Sequence, residues 1–534
     1  MKAITSLLVV MAFAFISTAQ PNFQLKVNTT SVQVPGVQSY AWAQSTNNEL
    51  LIIGGRIDGL HRRQPFAAFD PAGNNDSIYV IDPTVGVLGA ASVNTLSTGL
   101  QEQLQSTNMQ FIEMQNHLII TGGYGWSPTQ GEFVTHDKLT VVDVNGLVSA
   151  IVNQQAIAPY FRQVIDSRVQ VTGGYLGILN DTLFLVGGQL FEGAYNPQGP
   201  THGPGFNQVY VDGFKRFTIQ NLTSGTPTIQ NYVEVTDANT FHRRDYNLSL
   251  QMAPDGTPFL TAFSGVFQPT QNLPWLDLVE IHSSSQYQVP AGAEQKLNQY
   301  HTAHVGIWDS LTGNMHTAFL GGIGQYYVDP SGQILADNEV PFINTISIMS
   351  RDAQGNWQEY YSENRMPALL GASAEFIPNN SLPYTANTHV LKLHQTQADS
   401  LILGWVVGGI ESSAPNVFFT NTGTQSWANF NIMEVVLYND SSLSLQEVVE
   451  ENVVQPLVKI YPNPSDGKFT VELLHPLEYH LVLSGGRGSI IDEQSHTGPG
   501  IIELVPESVS RGRYWLEVQT DDGQREVHRL MIHH

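Results

Sequence analysis

The chain contains no cysteine among its 534 residues. Disulfides, thiolate metal sites and cysteine nucleophiles are excluded by that absence. Positive charge is also scarce: 23 Lys and Arg stand against 47 Asp and Glu, a net charge of −24. Nucleic acid and anionic membrane surfaces are poor partners for such a chain, because both are bound through clustered cations that release counterions. Charged residues reach only 13% in total, so the surface is neutral-polar. Long apolar runs are missing beyond the N-terminus, as is apolar spacing of the 3, 4, 3, 4 kind. The single apolar core, Ile4 to Ile16, follows Lys2 and precedes Ser17-Thr18-Ala19. It is shorter than the ~20 residues a membrane span needs and reads as a signal peptide over residues 1–19, with the mature chain starting near Gln20.

What is present is turn chemistry and repetition. The 47 Gly and 28 Pro imply many turns, and alternating, β-branched runs predict an all-β fold. One phrase recurs: "LLIIGGR" from Leu50, "LIITGGY" from Leu118, "LFLVGGQ" from Leu183, "AFLGGI" from Ala318 and "GWVVGGI" from Gly404. A degenerate copy, "FLTAFSGV" from Phe259, fills the long gap in the middle. An alternating run follows each copy: "DSIYVID", "DKLTVVD", "NQVYVDG", "LDLVEIH", "NTISIMS" and "NIMEVVLYN". Further runs come after ("SVNTL", "LVSAIV", "RFTIQNL", "SQYQVP", "WQEYYS", "LSLQEVV") and before ("SYAWA", "QFIEM", "YLGIL", "LSLQM", "AHVGIW", "HVLKL"). Four strands in each of six repeats predict a six-bladed β-propeller over residues 20–455, since radial packing buries sheets that cannot bury both faces alone. Gln24 to Val34 is expected to close the last blade.

An apolar strand ending in Gly-Gly, followed by a strand with an aromatic or apolar centre, resembles the Kelch repeat of galactose oxidase-like propellers. The spacing departs from it. Kelch repeats run about 50 residues, whereas successive second glycines here stand 57 (Gly265 to Gly322) to 87 (Gly322 to Gly409) residues apart. The difference is expected in loops. Galactose oxidase-type radical chemistry needs a cysteine cross-linked to tyrosine, and the chain has none.

From Lys459 the text changes to "KIYPNPSDGKFTVEL", and it closes with "GRYWLEVQTDDGQREVHRLMIHH" from Gly512. A Pro-bounded loop feeding an alternating strand, and a hairpin turning at Asp522-Gly523, predict a small β-sandwich over residues 456–534. This resembles the C-terminal sorting domain of type IX secretion at Tyr461, Pro462, Asn463, Pro464, Gly467 and Phe469, then Gly512, Tyr514 and Leu516. The resemblance implies the type IX machinery as partner, export across both membranes, and a secreted or cell-surface protein. The ending "LMIHH" departs from the family's usual basic-aliphatic close, so anchoring and release both stay open.

No catalytic residue, cofactor or metal ligand is singled out. "SRDAQGNW" (Ser350 to Trp357) has one residue too many for a sialidase Asp-box and reads as a hairpin turn. His301 and His304 in "YHTAH" would face opposite sides of a strand. "DPAGNND" from Asp70 reads first as a turn. The doubled arginines of "LHRRQ" and "FHRRD", with the related "YFRQ", make Arg62, Arg63, Arg162, Arg243 and Arg244 candidate ligand-binding residues, because guanidinium groups hold carboxylate, sulfate or phosphate bidentately. The other reading, and the one favoured, is that each pairs with an acidic neighbour such as Asp245 or Glu102 and ties blades together. The function expected is binding of a glycan or a surface protein. A glycan-active hydrolase or lyase with an arginine-lined pocket is the alternative, and a structural role in a surface assembly is a third.

Overall fold

The computed structural model describes residues 20–532 apart from 198–202, 204, 284–285, 386–388, 397, 440–444, 449–452, 455, 464, 466, 486–488 and 506–508. The expected signal peptide, residues 1–19, and Pro464 lie outside the described residues. Strand accounts for 52% and helix for 8%, so the chain is all-β. It divides into two compact units, Met1–Tyr327 with Asp337–Val448, and Val328–Ala336 with Val449–His534.

Among the described residues, the larger unit contains six sheets of four or more strands, each built on antiparallel meander strands, and smaller sheets in the connections. Their first strands are Ala41–Gln44, Gln110–Met114, Tyr175–Leu179, Asn247–Met252, His304–Asp309 and Ala374–Pro378. The recurring phrase is the second strand of each. In the phrase Leu50–Ile53 all four residues are buried, and the reason is positional. Leu51 and Ile53 share a core with sheet two, while Leu50 and Ile52 share one with sheet six. Side chains alternate across a strand, so a strand covered on both faces reads as a continuous apolar run. Further cores join sheets two and three (Ile119 with Leu185), three and four (Phe184 with Leu260), four and five (Phe263 with Phe319), and five and six (Ile348 with Val406).

The glycine pair ends that strand where the next repeat approaches. Gly122 has φ +61°, and a Cβ there would stand 1.8 Å from the carbonyl oxygen of Val171 in the next repeat. Gly408 has φ +64° and would meet Val37 O at 2.2 Å. Only glycine accepts both the backbone conformation and the contact. The second glycine then donates its N–H to the neighbour: Gly55 to Ser106 O, Gly123 to Val171 O, Gly188 to Arg243 O and Gly409 to Val37 O, at 2.8–3.0 Å.

Just ahead of the six first strands runs a closed circuit of backbone hydrogen bonds. Ser39 N–H donates to Ser373 O (3.1 Å), Asn108 to Ser39 (3.3 Å), Gly173 to Asn108 (3.3 Å), Asp245 to Gly173 (2.7 Å), His301 to Asp245 (2.8 Å) and Ser373 to His301 (2.9 Å). Gln24–Gln33 pairs antiparallel with Asn431–Tyr438 and forms the outer strand of sheet six, as the sequence led us to expect.

Five strand assignments differ from the sequence reading. "SVNTL" is a 3-10 helix at Val93–Thr95, and the preceding Gly86–Ser92 is the fourth strand of sheet one. "LVSAIV" is not a strand: Val144–Val152 is an α-helix capped by Asp143, whose Oδ1 accepts the Gly146 N–H. Val144, Leu147, Val148 and Ile151 are buried at helical spacing, and Phe161–Ile165 is the fourth strand instead. "NQVYVDG" lies in a loop hairpin, Phe206–Tyr210 on Gln189–Gly193, leaving "RFTIQNL" as the third strand and Thr228–Thr236 as the fourth. "HVLKL" supplies Val390–Lys392, which runs parallel to the first strand of sheet five. "LSLQEVV" pairs through Gln446–Glu447 with Tyr360 and Tyr361 of sheet five.

The smaller unit holds a three-stranded sheet (Val458–Tyr461, Phe469–Leu473, Gly500–Leu504) and a four-stranded one (Glu478–Gly485, Ile490–Thr497, Gly512–Thr520, Arg525–Ile532). Phe469, Val471, Leu481, Leu516 and Leu530 belong to one core.

Candidate functional site

Within the larger unit, one cavity of about 140 Å³ is lined by the first strand of every sheet. Sheet one contributes Trp42, sheet two Phe111 to Glu113, sheet three Tyr175 to Ile178, sheet four Leu248 to Leu250, sheet five His304 and Gly306, and sheet six Glu375 and Phe376. His389, just before the parallel strand Val390–Lys392, completes the wall and stacks on Trp42 at 5.7 Å. Phe111 meets Trp42 edge-on at 6.4 Å.

Two carboxylates reach the same strand from neighbouring sheets. Trp42 Nε1 donates to Glu375 Oε2 (3.2 Å), and Gln44 N–H donates to Glu113 Oε2 (3.1 Å). Burial raises the Glu113 pKa, and the single backbone donor only partly opposes it. His301 Nε2 stands 3.0 Å from Glu375 Oε1. The pair is poorly aligned, and both atoms are left without a hydrogen-bond partner. Burial works against charge on His301, yet Glu375 outweighs it and raises the pKa. Burial lowers His304, whose Nδ1–H donates to Thr302 O (3.0 Å), and takes His389 down to about 4.

His301 and His304 do not sit on opposite strand faces. The strand starts at His304, and both rings pack against Tyr175, at 5.6 and 6.2 Å. Trp42, Glu113, Tyr175, Glu375 and His389 were not picked out from sequence. The available signal was an aromatic or acidic residue inside otherwise apolar first strands such as "SYAWA" and "QFIEM".

The five candidate arginines do not line this cavity. Arg243 is fully buried; it donates to Thr240 O (2.8 Å), Ser264 O (2.8 Å) and Asp277 Oδ1 (3.0 Å), with Trp275 4.7 Å away. Arg244 pairs with Asp245 and donates to Tyr210 Oη (3.1 Å). Arg63 donates to Phe419 O (2.9 Å), and Arg62 is exposed. Arg162 lies apart on the outer strand of sheet two, held by the carbonyls of Asn221, Leu222 and Gly225. In "LHRRQ" it is His61 that packs inward, 4.9 Å from Tyr195, and burial lowers its pKa to about 4. "SRDAQGNW" is a turn closed by Asp352 Oδ1, which accepts from Gln354 and Asn356 N–H at 2.9 and 2.8 Å.

In the smaller unit the tail motif stitches its own fold. Asn463 donates to Arg529 O (2.8 Å) and accepts from Met531 N–H (3.0 Å). Gly467, at φ +110°, donates its N–H to Ser465 Oγ at 3.1 Å. Tyr514 Oη donates to Ser510 O (2.7 Å) at the head of the strand that Gly512 opens, and Tyr461 stays half exposed beside Pro462.

Among the described residues no helix is long and apolar enough to cross a membrane. The sequence matches no curated protein. One solved structure similar to the chain, titled "Structure of YjhT", shares 10% identity at a TM-score of 0.40, over 74% of this chain and 99% of that one. Residues 459–533 match the family described as "Secretion system C-terminal sorting domain". The tail is a type IX secretion C-terminal sorting domain, and the protein is exported to the cell surface or secreted.

Proposed function

We propose that the larger unit is a six-bladed, Kelch-like β-propeller that binds a glycan or protein partner outside the cell, with the axial cavity as the glycan site. The carrying observation is one cavity that all six first strands line, with aromatic and polar groups among the lining residues. The cores linking each sheet to the next, the six-membered backbone circuit and the joint from sheet six to sheet one support radial closure. A signal peptide over residues 1–19 fits the same route of export. The arginines enter as ties between connections, and exposed Arg62 is the one suited to meeting an acidic partner.

A glycan panel on the full exported chain, reading both binding and released sugar, tests the function. Saturable binding lost in Trp42→Ala, without product, is the expected result; silence on every sugar overturns the glycan site. Released sugar would favour a hydrolase or lyase, a reading supported by Glu113, whose raised pKa suits a general acid in the cavity that Glu375 also lines. Deleting residues 20–33 tests closure. It removes Phe23, Leu25 and Val27 from the core, so a loss of about 6 kcal/mol in urea unfolding is expected, and an unchanged midpoint would refute the closed ring.

A further inference from the structure

Among the described residues, the lining of the axial cavity carries two carboxylates and neither lysine nor arginine. Glu113 has one backbone donor and no cation beside it. Glu375 is 5% exposed, and its Oε1 lacks a hydrogen-bond partner. Trp42, Phe111 and Tyr175 bring aromatic surface to the same space. His304 and His389 are held toward the neutral form by burial and add no fixed positive charge. Among the described residues, His301, ahead of the sheet-five strand, offers a positive partner 3.0 Å from Glu375 Oε1, and its alignment is poor.

That combination is incomplete in one particular way. An ammonium group gains from the negative faces of aromatic rings and from charge-assisted hydrogen bonds to a carboxylate. An anion would meet two carboxylates in a partly desolvated space, where like charge is costly. We propose that the axial cavity binds a cationic, amine-bearing ligand, a sugar with a free amine being the glycan of this class. Glu113 supplies the ion-pairing carboxylate, and Trp42 and Phe111 supply the aromatic wall. The inference rests on the cavity being the ligand site.

Calorimetric titration of the full exported chain with glucosamine, N-acetylglucosamine and glucuronate, at about pH 7.5, tests it. Glucosamine should bind about tenfold more tightly than N-acetylglucosamine, the size of effect expected for one desolvated cation–π and ion-pair contact, and glucuronate should bind worst. Glu113→Gln should reduce the amine preference to within about twofold. Equal affinity for the three sugars, or a preference for glucuronate, overturns the cation inference while leaving the cavity as a glycan site. Failure of all three sugars and of tetramethylammonium to bind overturns both. The selectivity is read on the unsubstituted chain, so a variant that misfolds does not decide the outcome.

Discussion

Two regions of the larger unit hold buried charge, and they are built in opposite ways. Around the doubled arginines, the guanidinium of Arg243 has three acceptors and an indole face, and Arg244 has a carboxylate and a phenol. Sheets four and five show the same saturation from the acidic side: Glu280 accepts from His282, Gln288, Arg351 and Trp357 at 2.8–2.9 Å. In the cavity lined by the six first strands, by contrast, Glu113 has one donor, and Glu375 Oε1 faces His301 Nε2 at 3.0 Å outside hydrogen-bond geometry. A buried polar group that is fully met inside the protein has little left to offer a ligand. Saturated charge is therefore a marker of structure, and unsaturated charge beside aromatic rings is a marker of binding.

Substitutions that separate stability from binding can break this comparison. The largest stability effect is expected for Arg243→Ala, which strands Asp277 and two carbonyls; such losses run about 3–5 kcal/mol. Urea unfolding would measure it, and a loss below about 1 kcal/mol would remove Arg243 from the structural class. Next comes Glu280→Gln. Burial alone would raise the Glu280 pKa, but its donors, His282 and Arg351 foremost, hold it at about 2 against the ordinary 4.5. That gap corresponds to about 3 kcal/mol. Because the folded value is depressed, the contribution is complete above about pH 4.5 and is lost as pH falls toward about 2. The variant should be weaker at neutral pH and should lose that limb of the stability–pH curve.

The cavity should behave the other way. Trp42→Ala should cost about 1 kcal/mol of stability, since the indole is only partly buried, yet lower ligand affinity by about tenfold or more. A variant that unfolds but still binds when stabilised would invert the comparison. Smallest of all is Arg62→Ala, an exposed side chain, with an expected change within about 0.5 kcal/mol. A thermal melt that moves by several degrees would show that Arg62 is a tie after all.

Much of the fold was legible in the text because its signals are local. A doubled glycine can be read wherever a backbone turns left-handed against a neighbour, and runs such as "LLII" can be read where both strand faces are covered. The helix at Val144–Val152 was also legible, since Asp143 and the spacing of Val144, Leu147, Val148 and Ile151 announce it, but its β-branched residues mimic a strand. The loop hairpin Phe206–Tyr210 could not be ranked against the true third strand by pattern, because both alternate. Val390–Lys392 is a strand only because sheet five offers it a parallel edge.

The candidate site divides in the same way. Arginine doublets stand out in a chain so poor in cations, and that drew attention to residues whose partners were already beside them in three dimensions. Glu113 and Glu375 are ordinary acids in the sequence, 262 positions apart by their numbering. The sequence by itself determined the β-class, the six-fold phrase, the sorting tail and its export. Only the tertiary structure decided which polar groups are met and which are left open, because hydrogen-bond saturation depends on neighbours that six separate strands bring together around one cavity.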